Sequence, residues 1–530
     1  MAPAAPRFLP RHRIVESVGL PQRPVDRIDA VLAAVCGLVA LAVYSRTVIP
    51  EILPYDGGEF QVLGVSGGHA HVTGYSIYLV MLRLFAALPI GEPILRATVF
   101  SAVMGGVAVS LVYLCGRVAS GWRVGGVALA AAWGGAATVW SQSIQAEVYT
   151  TASVFTAGVL WFVLTWLRDR AWWRLMAAGI LGGASLGVHG SVGLFAPGIG
   201  CALVMAGLDR RSVAGAVAGV VIGIGLFLTA FWVVDRQVDR NDVFTSVYLP
   251  WAEAFDSTPE QLAKPAARLA FLLDAKQWQK SMFADPVRTM PMNAYWYLRV
   301  FRRDFTWLWM GLAGFGLGVM VRRARPLAAL IVVGLVVHHL YTFNYAIPDV
   351  YVFFIPAFLY VGVAGAVGLG ALLNAARLEP ARWAMPVAVA VAVAAAFGAQ
   401  PVAKLRDVER GESGELVRDQ PSNLELTRQR EAMEKLIAIL PPDALVATDW
   451  ELLYRLIYLA RRAGRTDLKF IEGRPWGIEH MPMADYHARI AQLEAQRPLV
   501  FSSASPTLVA LGYTGDPLAR VASQNFWRVR

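Results

Sequence analysis

Residues 54–85 read PYDGGEFQVLGVSGGHAHVTGYSIYLVMLRLF and follow directly on the first apolar run long enough to cross a membrane. Two carboxylates, two histidines and six glycines in so short a segment set it apart from the apolar sequence around it. Asp56 and Glu59 are three apart, so a helical backbone puts them on one face about one turn apart. The same spacing suits a helix start in which Asp56 is the N-cap and Glu59 reaches back to it. Further on, Gly74 to Leu88 is apolar for only about 15 residues, roughly 22 Å as a helix, before Pro89 and Gly91 stop it. That is short for a span and predicts a helix lying in the membrane interface.

Around this stretch the sequence is 56% hydrophobic and only 16% charged, with a mean hydropathy of +0.48. Apolar runs of about 20 residues recur, the length that crosses roughly 30 Å of hydrocarbon. The expected fold is a polytopic α-helical membrane protein. A formal net charge of +10 comes from arginines that sit mostly in short loops between apolar runs. Such a pattern reflects topology and lipid headgroup contact, with no nucleic acid as partner. Cys36, Cys115 and Cys201 all fall within apolar runs, which argues against a disulfide framework or a zinc knuckle. The preference for Arg and Ala over Lys fits a GC-rich bacterial genome, which makes the bacterial inner membrane the expected location.

Eleven spans are predicted, at about 28–49, 93–116, 122–140, 148–167, 171–188, 191–207, 212–234, 304–321, 326–343, 351–373 and 383–400. Residues 1–27 carry Arg7, Arg11, Arg13, Arg23 and Arg27 without a cleavable-signal pattern, and the positive-inside rule makes them a cytoplasmic tail. The loops with Arg117 and Arg123, Arg168 to Arg174, Arg210 and Arg211, Arg322 to Arg325, and Arg377 and Arg382 then fall on that same side. An odd number of spans puts the carboxyl end outside. A transmembrane domain over 28–402 is therefore expected to share its outer face with loops 50–92 and 235–303 and with a soluble domain over 403–530.

The second outer loop carries Trp251, Trp278 and Trp296 and suits an interfacial cap over a cavity. In the last domain, amphipathic stretches (423–440, 451–463, 484–496) alternate with short apolar runs (444–448, 468–471, 499–502). Alternation of this kind predicts a small α/β domain. It has no phosphate-binding glycine loop, which suggests a substrate-presenting or partner-binding module.

The topology also sorts the polar residues. Gln145 and Glu147, His189, and Asn344 and Asp349 join Asp56, Glu59, His69 and His71 at the outer ends of spans. Ionisable groups near the bilayer are costly and usually line a cavity or a substrate path. A metal is one reading of the first stretch, with His69, His71, Asp56 and Glu59 as ligands, although H-x-H faces one way only on an extended backbone.

Four elements carry a family resemblance. They are D-x-G-E-F (Asp56 to Phe60), H-x-x-G-Y (His71 to Tyr75) with the L-R-L-F that follows, A-E-V-Y (Ala146 to Tyr149), and F-N-Y-x-I-x-D with F-x-x-P (Phe343 to Asp349, Phe353 to Pro356). In order and spacing these resemble a domain-of-unknown-function family of polytopic proteins that includes an animal transmembrane O-mannosyltransferase, within the GT-C glycosyltransferases. The family pattern has two prolines after the histidine, where this chain has Val72 and Thr73. The resemblance covers most of the first 375 residues; nothing specific extends it over the last domain.

The resemblance implies a GT-C-like fold and transfer of a sugar, mannose or similar, from a polyprenyl-phosphate donor to a hydroxyl of a protein or glycan acceptor, without a required cofactor. It implies Asp56 and Glu59 as catalytic carboxylates, with Asp56 taking the acceptor proton and the anomeric centre inverting. Substrate would be bound by His69, His71, Tyr75, Glu147, Tyr149, His189, Asn344 and Asp349. The donor phosphate would be met by Arg83, Arg96, Arg299, Arg302 and Arg303, since fixed cations help where negative charge grows. Two other classes stay open: a lipid-linked glycan transporter or flippase, and a non-catalytic envelope assembly scaffold. A transporter would place its polar groups at the midplane and show matching repeats, neither of which is evident here. A scaffold would tolerate loss of Asp56 and Glu59.

Overall fold

The computed structural model describes residues 20–21, 23–236, 242–376, 423–478, 481–502 and 515–529. In chain order the helices of the first part are α1 (Arg27–Thr47), α2 (Tyr55–Ser66), α3 (Ser76–Ala86), α4 (Pro93–Ser120), α5 (Arg123–Gly134) and α6 (Ala137–Ser143). They continue as α7 (Tyr149–Asp169), α8 (Trp172–Ala184), α9 (Ala196–Ala206), α10 (Arg210–Asp235) and α11 (Pro265–Leu273). After these come α12 (Pro286–Asp304), α13 (Trp307–Arg323), α14 (Arg325–Thr342) and α15 (Ile355–Ala375).

Among the described residues six helices are long and apolar enough to cross a membrane, or eight if each of two bent pairs is one span. This is a multi-pass membrane protein. The expected spans at 171–188 and 191–207 appear as the 13-residue α8 and the 11-residue α9, each continued only by short 3-10 turns. The span expected at 122–140 is broken by 68° between α5 and α6, and α12 meets α13 at 108°. The span expected at 383–400 lies outside the described residues. The breaks have local causes. Gly135 and the extended Ala136 separate α5 from α6, and Thr306 in extended backbone ends the run between α12 and α13.

Helix α8 packs on α10 through small residues. Gly215, Gly219 and Gly223 recur every fourth residue, and a Cβ on the facing Gly183 would stand 2.5 Å from the Val220 carbonyl oxygen. Such stripes let two backbones approach without side chains between them. On the amino-terminal side, Asp26 and Asp29 form a capping box at α1, and Asp29 also accepts from Arg117 and Arg123 at 2.9 and 3.1 Å.

The last part is the expected α/β domain. Helix α16 (Asn423–Ile439), β1 (Leu445–Thr448), α17 (Trp450–Arg462), β2 (Lys469–Glu472), α18 (Met483–Glu494) and β3 (Leu499–Ser502) fall within two residues of the predicted stretches. A hairpin not anticipated from sequence, β4 (Gly515–Val521) and β5 (Gln524–Val529), completes a sheet of order β2-β1-β3-β5-β4. Strand β1 runs parallel to β2 and β3, and β5 runs antiparallel to β3 and β4.

This domain shares a core with the second outer loop. Phe244, Tyr248, Trp251, Phe255 and Phe271 belong to the same buried cluster as Leu456, Ile471 and Phe501. Trp251 stacks on Tyr486 at 5.2 Å and donates its indole N–H to the Glu472 carbonyl at 2.7 Å. Helix α16 is tied to the segment between α1 and α2 by Thr427 and Arg430, which bond the Glu51 carboxylate at 2.7 and 3.1 Å. The domain is thus docked over the stretch that follows α1.

Candidate active site

A cavity of about 1020 Å³ lies between one end of the membrane helices and the C-terminal domain. Of the residues expected at a site, Asp56, His71, Tyr75, Glu147, Tyr149, His189 and Asp349 line it. They come from separate stretches of chain, which the fold gathers on one side of the bundle.

Helix α2 begins two residues earlier than a cap at Asp56 requires. Pro54 is the N-cap, with no side-chain cap bond, so Asp56 falls at the second helical position and Glu59 at the fifth. The expected capping box does not form, and both carboxylates bond elsewhere. Glu59 is fully buried and does not reach the cavity. Its Oε2 pairs with His71 Nδ1 at 2.6 Å, while its Oε1 accepts from the His71 backbone N–H at 2.9 Å and the Tyr454 hydroxyl at 3.1 Å. On the other ring nitrogen, His71 Nε2 lies 3.6 Å from Asp56 Oδ2 and 3.2 Å from the Tyr75 hydroxyl. Asp56 Oδ1 accepts the Trp450 indole N–H at 2.7 Å, and its side chain keeps 36% exposure toward the cavity.

Charge in this line is unbalanced. Burial disfavours the His71 cation, but Asp56 and Glu59 on either side overcome it and push the imidazole up to about 9. Burial, with Asp56 and then Asp349 adding to it, pushes Glu147 well above the usual carboxyl range. Burial and Asp56 likewise push Asp349 up to about 6. His189 moves the opposite way, to about 4, through burial and then the charge on His71. Ser191 donates its backbone N–H to His189 Nδ1 at 3.2 Å, so that nitrogen carries no proton and the neutral ring presents Nε2–H. Tyr75 stacks on His189 at 6.0 Å, with Tyr149 and Phe353 at 5.2 and 5.1 Å.

Other expected residues lie off the cavity. His69 turns to Asp235, with Nε2 to Oδ1 at 2.9 Å, and the four proposed metal ligands are therefore divided between two places. Among the described residues no three His, Cys, Asp or Glu groups gather as a metal site. Asn344 is buried, its amide donating to the Leu340 carbonyl at 2.7 Å. None of the five arginines expected at a phosphate lines the cavity. Arg96 donates to the carbonyls of Ala86, Ile90 and Gly91 at 2.6–2.7 Å, closing the turn after α3. Arg303 bonds Asp304 and Thr138, both at 2.8 Å. Arg299 and Arg302 lie against Trp296 and Trp307 at 5.2 and 5.9 Å, and Arg83 stays on α3. Position at the end of a span does not say which face of the helix an arginine takes.

Residues 56–212 match the family described as Protein O-mannosyl-transferase TMEM260 N-terminal domain. The mouse (Mus musculus) protein O-mannosyl-transferase TMEM260 is 28% identical over 131 residues, 24% of this chain. That match spans only 19% of the mouse protein's length. Among solved structures, ArnT from Cupriavidus metallidurans bound to undecaprenyl phosphate superposes with a TM-score of 0.55 at 14% identity, over 93% of this chain and 97% of that one. The apo oligosaccharyltransferase from Archaeoglobus fulgidus gives 0.51 at 11% identity, over 90% and 69%. The likeness to these two structures is one of fold, and it extends over nine-tenths of this chain.

The roof of the cavity comes from the C-terminal domain, where no motif was recognised. Asp449, Trp450, Glu451, Glu472, Arg474 and Trp476 all line it. The sequence did carry a signal: D-W-E opens an amphipathic helix, and E-G-R-P-W is a Gly/Pro turn crowded with charged and aromatic side chains. Arg474 is the one arginine in the lining among the described residues.

Proposed function

We propose that this protein is a GT-C-type membrane glycosyltransferase of the bacterial inner membrane. It moves a sugar, mannose or similar, from a polyprenyl-phosphate donor to a hydroxyl acceptor on the extracytoplasmic face. The observation that carries the reading is the line Glu59–His71–Asp56, which ends in a partly exposed carboxylate at the cavity. In support, ArnT is a neighbour in fold that binds a polyprenyl phosphate, and the TMEM260 match begins at Asp56.

Asp56 accepts the proton of the acceptor hydroxyl as its oxygen bonds the anomeric carbon. The bond from that carbon to the phosphate oxygen breaks, and the polyprenyl phosphate leaves with the electron pair. Attack opposite the leaving group inverts the anomeric centre. Glu59 does not meet substrate; it holds His71, which in turn orients Asp56. The His189 Nε2–H and the Tyr149 hydroxyl are neutral donors for the phosphate oxygens, in a buried setting where hydrogen bonds are strengthened.

The test is transfer by the purified protein in lipid, from a panel of polyprenyl-phosphate sugars. Sugar-specific product that collapses in Asp56→Asn while donor binding survives supports the assignment and names the donor. Unimpaired transfer in Asp56→Asn removes it.

A further inference from the structure

The C-terminal sheet turns the carboxyl ends of two parallel strands to the cavity. Thr448 and Glu472 are register partners at the ends of β1 and β2, and Asp449 follows directly on β1. In open α/β sheets, ligands bind outside these strand ends.

Glu472 is the unusual residue there. It lines the cavity, is only 6% exposed, and its Oε2 has no hydrogen-bond partner among the described residues. An unpaired buried carboxyl oxygen is unfavourable and calls for an explanation, for which a ligand is the ordinary one. Burial first, then the charges of Asp449, Glu59 and Asp56, push this carboxyl up to about 8. Near neutral pH it is thus a carboxylic acid that both donates and accepts, and it does not attract a cation.

Aromatic surface lies beside it. Trp476 is 43% exposed and packs at 5.8 Å from Trp278, with its indole N–H on Ser281 Oγ at 3.3 Å. Both indoles line the same cavity. An apolar ring face next to a group that donates and accepts matches a pyranose, which has a C–H face and a rim of hydroxyls.

We propose that Glu472, Asp449 and the Trp278–Trp476 pair form a saccharide subsite across the cavity from the membrane helices, so that the acceptor hydroxyl belongs to a carbohydrate. This rests on the transferase reading above and names its acceptor class. A pyranose could also come from the donor; the roof is assigned to the acceptor because it belongs to the soluble domain.

The experiment is saturation-transfer NMR with methyl α-hexopyranosides on the full chain in nanodiscs. Binding is expected in wild type and in Asp56→Asn. It should weaken about tenfold or more in Glu472→Ala and in Trp476→Ala. Glu472→Gln, which keeps a donor and an acceptor, should stay within about twofold of wild type. Saccharide binding that ignores Glu472→Ala and Trp476→Ala overturns the subsite. So does displacement by saturating undecaprenyl-phosphate mannose, which would make the pyranose site the donor's. Binding of a Ser/Thr peptide that depends on Glu472 in place of the sugars also overturns it. Loss of transfer in Asp56→Asn without any saccharide binding removes this inference alone. Saccharide binding with undiminished transfer in Asp56→Asn removes the transferase reading alone.

Discussion

His69 and His71 stand two residues apart in one loop, and each holds a buried carboxylate, yet the two pairs are built for different ends. His69 meets Asp235, which also accepts from Nε and Nη2 of Arg268, both at 2.7 Å. One carboxylate faces one guanidinium there, and the His69 backbone N–H adds a bond to Asp242 Oδ2 at 3.1 Å. The result joins the first outer loop to the second. His71 instead lies between two carboxylates, Glu59 at 2.6 Å and Asp56 at 3.6 Å, and no arginine is bonded to either among the described residues. A neutralised pair serves as scaffold, whereas uncompensated charge beside a cavity is where chemistry is expected.

The contrast is tested hardest at Asp56. Asp56→Asn keeps the shape and the Trp450 contact but removes the base, so transfer should fall by about 10²–10⁴ with the melting temperature nearly unchanged. If transfer and melting fell together, the open end of the His71 line would be scaffold too.

Asp235→Asn should do the reverse. Arg268 would be left buried beside a neutral amide, at a cost of about 3–5 kcal/mol in stability. The protein that remains folded should turn over at close to the wild-type rate. Thermal unfolding in detergent, read against rate per folded molecule, checks both halves. A selective loss of rate would erase the distinction between the two histidines.

Sequence alone could not have separated them. H-x-H gave both histidines the same standing, and the partner of His69 is 166 residues away. What was legible was local: the apolar runs, the short helix after Gly74, and the amphipathic helices and apolar strands of the last domain. The hairpin β4–β5 escaped because Gly515 and Pro517 argue against a strand, although β4 is an edge strand, where proline is tolerated. The helices at α8 and α9 are shorter than the apolar runs that predict them because hydropathy does not register where a helix gives way to 3-10 turns. The roof of the cavity left a local signal in D-W-E and E-G-R-P-W but no sign of what it covers, since Trp450 meets Asp56 across 394 residues.

A smaller effect should separate the pairs by pH. The His71 pKa is raised from 6.5 to about 9 in the folded chain. Its stabilisation is therefore complete below about pH 6.5 and is lost as pH rises through about 9, with unfolded chain taking up fewer protons than folded chain in that window. Glu59→Gln removes one of the two carboxylates responsible. It should shrink this pH dependence, worth about 1–3 kcal/mol, and slow transfer in proportion to the disorder of His71. Unfolding curves at pH 6.5 and 9 for wild type and variant provide the check. An unchanged difference would mean that the charge on His71 is not set by Glu59.

The smallest expected effect asks whether the C-terminal domain belongs to the unbalanced site or only covers it. Trp450→Phe keeps the ring and its packing on Tyr454 but deletes the N–H that holds Asp56 at 2.7 Å. A single hydrogen bond to a carboxylate is worth about 1 kcal/mol here, so kcat should drop by a factor of about five with donor KM unchanged. A wild-type kcat in Trp450→Phe would return the domain to a covering role and leave His71 as the sole orienting group. A change confined to donor KM would mean that the indole meets the lipid-linked sugar rather than the base. A drop in kcat alone would make Asp56 a residue held from both sides, by His71 from the first outer loop and by Trp450 from the soluble domain. Neither half of the chain would then form the site by itself.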